Sequence, residues 1–230
     1  MANKKRYLII DDCTIAISLV RWILNSTGIS NSYIDSTTDS LKSLRLLAQH
    51  NYDVVICDYN MDHHIDGGLI LDEVKRRKLL AYDAVFICMT ADSSESVVTH
   101  LIELEPDDFL LKPFRSIELV LRVQAAEKRK MIIAPVLAAI DKKNYQEALR
   151  LCKKLKAEHC PYLSYINRIY GDCLLRLKRH NEALEFYEKS CENSYNTWAE
   201  IGLGQTYQSL GDLGKAEDIF KQILAKHPKQ

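Results

Sequence analysis

Five residues stand where short apolar runs end, and their types suit phosphate and metal chemistry. Asp11 and Asp12 follow the run at 6–10, and Asp58 follows the run at 53–57. Thr90 lies just past 84–88, and Lys112 just past 108–111. Three carboxylates at close range repel and raise one another's pKa. A divalent cation removes that conflict. Mg²⁺ takes oxygen ligands, keeps several waters and pairs with phosphate oxygens. The cluster therefore reads as a magnesium site with a hydroxyl and an ammonium beside it.

The elements that must gather these residues are legible as rhythm. The apolar runs RYLII (6–10), SYI (32–34), DVVIC (53–57), AVFIC (84–88) and DFLL (108–111) alternate with helix-like segments near 13–27, 38–50, 67–80 and 93–104, and a fifth from about 114. Continuous apolar runs suit strands buried on both faces. Strand and helix in alternation predict right-handed βαβ units and a doubly wound, five-stranded parallel α/β domain over residues 1–130. In such a sheet the chemistry belongs at the carboxyl ends of the strands, where all five residues fall.

Residues 131–230 carry no strand signal and repeat instead. Ala183-x3-Tyr187 is followed 33 residues later by Ala216-x3-Phe220, and Gly171 is followed 33 later by Gly204. The last unit reads Leu203-Gly204-x2-Tyr207, Leu210-Gly211-Asp212, Ala216-x3-Phe220 and Pro228, which resembles the tetratricopeptide pattern. The unit from Tyr170 to Tyr187 is a fair match, and Asn144 to Cys152 matches only in its second helix. The consensus Trp is missing: Glu200 stands there, and Trp198 is two places off. Small residues (Gly171, Ala183, Gly204, Ala216) let helices approach, and large ones (Tyr187, Tyr207, Phe220) fill the groove beside them. Three hairpins forming an all-α solenoid are expected. No Gly/Ser/Pro-rich linker intervenes, so the last helix of the first domain is expected to run on with little break before Pro135.

The net charge of zero argues against general nucleic-acid affinity, with a slightly acidic first half and a slightly basic second half. No DNA-binding helix-turn-helix follows residue 130, no basic stripe is visible there, and no second catalytic constellation appears. No apolar run approaches the roughly 18 residues that span a bilayer. A soluble, cytoplasmic protein is expected, with no membrane and no DNA among its partners. The seven cysteines include no CxxC pair, and reduced, mostly buried thiols are favoured over a metal or disulfide framework.

Asp11-Asp12, Val54-Val55-Ile56-Cys57-Asp58-Tyr59-Asn60-Met61, Met89-Thr90-Ala91 and Lys112-Pro113-Phe114 resemble, in order, the receiver domain of two-component response regulators, over about residues 4–127. The resemblance implies that Asp58 is the phosphoacceptor, and that Asp12 ligates Mg²⁺ with Asp11 assisting. It implies that the backbone carbonyl of Asn60 completes the protein's share of the metal shell. Lys112 then pairs with the phosphoryl oxygens, Thr90 hydrogen-bonds them, Phe109 occupies the aromatic switch position, and the peptide before Pro113 is cis. The phosphoryl donor is a phosphohistidine on a sensor histidine kinase or phosphotransfer protein. The implied chemistry is self-catalysed phosphotransfer and autodephosphorylation, not enzymatic turnover of a separate substrate.

Two departures from the family pattern stand out. Asp62 replaces the usual Pro after Met61, and the stretch from Met61 to Gly67 is one residue longer than usual. Asp62, His63 and His64 either tune metal choice and pH response or simply make a larger solvated loop. The expected output is phosphorylation-controlled protein–protein interaction, the repeats holding an unidentified protein or peptide in their groove, with homodimerisation a further route. The alternative is a phosphate sink or kinase regulator that the repeats dock to its kinase. No polar capping helix follows the third hairpin, so a fragment of a longer protein is also in view.

Overall fold

The structure is a computed structural model, and it describes residues 5–226 except 62–64, 95–96, 98–99, 102–103, 105, 159, 161 and 193–196. The Asp62–His64 loop and Pro228 therefore lie outside the described residues. The chain divides into two compact units, residues 1–132 and 133–230.

The first unit runs β1 (Tyr7–Ile10), α1 (Thr14–Ser26), β2 (Ile34–Thr37), α2 (Ser40–Gln49), β3 (Val54–Asp58), α3 (Gly67–Arg77), β4 (Val85–Thr90), β5 (Asp108–Leu111) and α4 (Ser116–Asp141). Between β4 and β5, where a helix is expected at 93–104, the described positions Val97, His100, Leu101 and Leu104 are helical. The five strands form one parallel sheet in the order β2-β1-β3-β4-β5. β1, β3 and β4 are wholly buried, which is why they read as apolar runs. Alternate residues feed two cores. Ile9, Val54, Ile56, Val85 and Ile87 pack with Val20, Ile23, Leu119 and Val123 of α1 and α4. Leu8, Ile10, Val55, Phe86 and Cys88 pack with Leu47, Ile70, Leu71 and Val74 of α2 and α3.

The second strand is a correction. The apolar stretch 32–34 predicts it, but Asn31–Tyr33 form a short 3₁₀ turn and β2 begins at Ile34. β2 lies at an edge of the sheet, and only Ile34 and Thr37 are buried. An edge strand does not need a continuous apolar run, so hydrophobicity alone places it badly.

α4 continues through Pro135 to Asp141, and the boundary between the two units falls within it. Proline there removes one helical N–H, the one that would bond the carbonyl of Met131. Met131 is 70% exposed, so water can satisfy that carbonyl.

The second unit continues with α5 (Tyr145–Ala157), α6 (Leu163–Arg176), α7 (His180–Glu192), α8 (Thr197–Leu210) and α9 (Leu213–Lys226). Three hairpin turns pass through a left-handed residue: Lys143 (φ 56°), Lys178 (φ 56°) and Gly211 (φ 85°). Only the third uses the residue for which that conformation is free of Cβ strain. Lys178→Gly is therefore expected to stabilise the repeats by about 0.5–1 kcal/mol, relief of left-handed strain exceeding the extra entropy glycine loses on folding. A thermal melt checks it, and an unchanged or lower midpoint would refute the strain.

Packing between these helices is set by glycine facing aromatic rings. A Cβ on Gly171 would lie 2.4 Å from the Tyr187 hydroxyl, and one on Gly204 would lie 2.7 Å from the Phe220 ring. Gly202, which the repeat pattern does not single out, is as tight: its Cβ would meet the Tyr187 ring at 2.2 Å. Tyr187 is 1% exposed and sits between the two glycines. Tyr207 departs from the expected groove-filling role. It is partly exposed, and its hydroxyl donates to Glu188 at 3.0 Å.

Candidate functional site

The site forms where the strand order reverses. β1 pairs with β2 on one side and β3 on the other, so the helices that follow β1 and β3 leave on opposite faces. A crevice opens between their carboxyl ends. The register pairs Ile10 with Cys57, which puts Asp11 next to Asp58. It also pairs Asp58 with Met89 and Thr90 with Leu111, so Lys112 begins one residue beyond the sheet.

Asp11, Asp12 and Asp58 come together, with carboxylate oxygens all within 4.8 Å of one another. Asp11 is fully buried; its Oδ1 accepts the Cys13 N–H at 2.9 Å and its Oδ2 accepts Lys112 Nζ at 2.8 Å. The same ammonium lies 3.0 Å from Asp58 Oδ1. That contact is an ion pair lacking hydrogen-bond alignment, because Asp58 Oδ1 is buried and accepts no hydrogen bond. Burial pushes the Asp58 carboxyl above the ordinary carboxylate range; Lys112 draws it back, and Asp11 and Asp12 raise it further. Burial works against the charge on Lys112, but the Asp11 and Asp58 carboxylates outweigh it and hold the ammonium above its usual range. Three carboxylates thus gather beside the Lys112 ammonium, which pairs with Asp11 and Asp58, and together they offer the hard oxygen donors a divalent cation takes.

The Lys112–Pro113 peptide is cis. Lys112 N–H donates to the Thr90 carbonyl at 2.7 Å, tying β5 to the end of β4. Thr90 is buried, and its hydroxyl is engaged locally: it donates to the Asp92 carbonyl at 3.3 Å and accepts the Asp92 N–H at 3.0 Å. Asn60 is exposed just beyond β3. Phe109 is partly buried and packs against the α2–α3 side of the core.

Two features went unread in the sequence. Gly67 opens α3 so close to β3 that a Cβ on it would lie 2.1 Å from the Asp58 carbonyl, and its N–H donates to the Tyr59 carbonyl at 3.0 Å. A Gly-Gly pair at a helix start was the available signal. Tyr59 is 7% exposed; its hydroxyl bonds His100 Nδ1, and its own N–H donates to the Met89 carbonyl at 2.6 Å. The residue after Asp58 thus links the ends of β3 and β4 to the helical segment between β4 and β5.

Residues 7–124 match the family described as "Response regulator receiver domain". The chain belongs to that family. Residues 174–230 match the family "Tetratricopeptide repeat", so the receiver is followed by a helical repeat region. A curated relative, "Response regulator SaeR" from Staphylococcus aureus (strain USA300), is 33% identical over 116 residues, covering 50% of this chain and 47% of its own. The chain thus spans about half the length of the curated relatives it matches. Among solved structures, a CheY-like receiver domain protein from Methanospirillum hungatei JF-1 aligns with TM-score 0.48 at 18% identity, covering 55% of this chain and 96% of the other. The receiver domain of the Francisella response regulator 1452 aligns with TM-score 0.46 at 27% identity, covering 54% and 98%. Among the described residues no helix is long and apolar enough to cross a membrane. Five of the seven cysteines are buried, and burial pushes the Cys88 and Cys152 thiols up to about 12, where they are inert at neutral pH.

Proposed function

We propose that Asp58 accepts a phosphoryl group and that its phosphorylation controls protein–protein interaction through the helical repeats. The observation that carries this reading is the Asp58 carboxylate itself: buried, 3.0 Å from Lys112 Nζ, with an oxygen that accepts no hydrogen bond. The donor is a phosphohistidine of a sensor kinase or phosphotransfer protein. An Asp58 oxygen attacks phosphorus in line; the new O–P bond forms as the P–N bond breaks, and the electron pair leaves with the imidazole. Lys112 pairs with the equatorial phosphoryl oxygens.

The donor set fits Mg²⁺: hard oxygen ligands from three carboxylates and a buried Asp58 oxygen that accepts no hydrogen bond. Asp11, Asp12, Asp58 and the backbone carbonyl of Asn60 would hold it. When bound it supplies charge neutralisation at the phosphoryl oxygens. After transfer, Thr90 leaves its bonds to Asp92 and donates to the phosphoryl group, and Phe109 follows as the switch residue. The change is local and small, and the repeats are its readout.

A small acyl phosphate with Mg²⁺ provides the test, read by intact-protein mass. The wild-type chain is expected to gain one phosphoryl group, Asp58→Asn none, and chelation to abolish the gain. Partner capture with and without a phosphate mimic tests the second half. Phosphoryl uptake by Asp58→Asn sinks the assignment, and identical capture in both states sinks the control by phosphorylation.

A further inference from the structure

Helices α5, α6 and α7 bring lysines and aromatic rings together within the repeat unit. Lys156 Nζ lies 5.1 Å from the centre of the Tyr170 ring and 5.4 Å from that of Phe186. The two rings are 5.1 Å apart and tilted by 58°. Lys153, one helical turn before Lys156, places its Nζ 6.0 Å from the Tyr170 ring. Lys189, one turn beyond Phe186 on α7, adds a third cation whose field reaches Lys156.

Lys156 is half-buried and, among the described residues, has no carboxylate partner. Burial, with Lys189 and Lys153 adding to it, holds its pKa below the ordinary lysine range, while the nearby Cys152 acts the other way. The fold thus keeps a partly desolvated cation beside like charges. The faces of two rings offset part of that cost. An anion would offset more, through charge-assisted hydrogen bonds.

We propose that Lys153 and Lys156 with Tyr170 and Phe186 form a seat for an acidic peptide segment of a partner protein. A carboxylate sits among the ammonium groups, and the neighbouring apolar side chain of the peptide packs on the rings. This deepens the proposed function, since it rests on the repeats being a protein-docking unit. The charge pattern favours a peptide over nucleic acid. Glu182 acts on Lys153 and is held by Arg179 through two hydrogen bonds of 2.6 Å. That carboxylate bounds the positive field, so the seat suits one or two acidic residues rather than a run of phosphates.

The test uses the full chain and a display library of random peptides. Enriched peptides are expected to pair Asp or Glu with an aromatic or aliphatic residue. For one such peptide, labelled for anisotropy, replacing its acids with Gln should weaken binding by about tenfold or more, as loss of a partly desolvated charge pair requires. Lys153→Gln/Lys156→Gln should lose affinity to the same extent with an unchanged thermal melt. If that variant does not fold, the peptide Glu→Gln comparison on the wild-type chain decides alone. Enrichment without acidic residues, no enrichment, or affinity indifferent to the acids overturns the proposal. Tighter binding of an oligothymidine than of any selected peptide overturns it in favour of nucleic acid. The binding assay uses the unphosphorylated chain with no phosphoryl donor, so failure of the phosphorylation reading and failure of the seat are separable.

Discussion

Lys112→Ala is expected to destabilise the receiver by about 3 kcal/mol in the absence of divalent cations, the lower end for breaking a buried ion pair. The Lys112 ammonium is the shared partner of Asp11 Oδ2 and Asp58 Oδ1, and the Asp11 side chain is fully buried. Without it, three carboxylates face one another, and Asp11 keeps only the Cys13 N–H on its other oxygen. In a melt with chelator the midpoint should fall on the order of 10 °C. Asp58→Asn should move the midpoint the other way. The folded-state pKa of Asp58 is raised, so ionised Asp58 costs stability at neutral pH, and the loss is recovered as pH falls toward the carboxylate range. The amide removes that charge and should raise the midpoint by a few degrees. Mg²⁺ should lift the Lys112→Ala midpoint more than the wild-type one, because the variant site has lost the ammonium paired with Asp11 and Asp58. A Lys112→Ala melt within about a degree of wild type would show that the cluster is not electrostatically coupled.

Tyr187→Ala should cost the repeat unit about 4 kcal/mol, the loss of a fully buried aromatic ring plus the cavity it leaves. Gly171 and Gly202 cannot close that cavity without moving whole helices, since they lack side chains to turn inward. Helical circular dichroism on heating reads the effect. Gly202→Ala should also destabilise, by about 1–3 kcal/mol, because the ring it would strike is walled on its far side by Gly171. Tyr187 also predicts a pH dependence. Burial first, and then Asp172, raise its phenol well above the ordinary 10.0. A raised folded-state pKa means its stability contribution is fully present below pH 10.0 and is lost as pH climbs beyond it. Tyr187→Phe keeps the ring and gives up only a 3.5 Å hydrogen bond to Asp172. It should melt near wild type at neutral pH and lose stability less steeply under alkali. Equal alkaline slopes would remove Tyr187 from the account.

Much of the receiver was legible because its chemistry is tied to strand ends. A residue following a wholly buried apolar run can be placed at a carboxyl edge without coordinates, and Asp11, Asp12, Asp58 and Thr90 follow or close such runs, while Lys112 follows the edge strand β5, of which only Leu110 is buried. The edge strand was less legible, because Ile34–Thr37 buries only its end residues and needs no apolar signature. In the repeats, the 33-residue period marks Gly171 and Gly204, but Gly202 lies off the pattern. Its close approach to Tyr187 depends on how α7 and α8 pack, and periodicity does not encode that.

The sequence by itself determined the residue types, their order along the chain and the two rhythms, alternating in residues 1–130 and repeating beyond. Those suffice for fold class and for the carboxylate set, because hydrophobic period and strand-end position are local properties of the chain. Only the tertiary structure decided that one ammonium serves both Asp11 and Asp58, and that an Asp58 oxygen is left without a hydrogen bond. Only it decided that Lys156 is half-buried over two rings from two other helices. Partnership, burial and the field at a charge depend on residues far apart in sequence, which the chain brings together only when it folds.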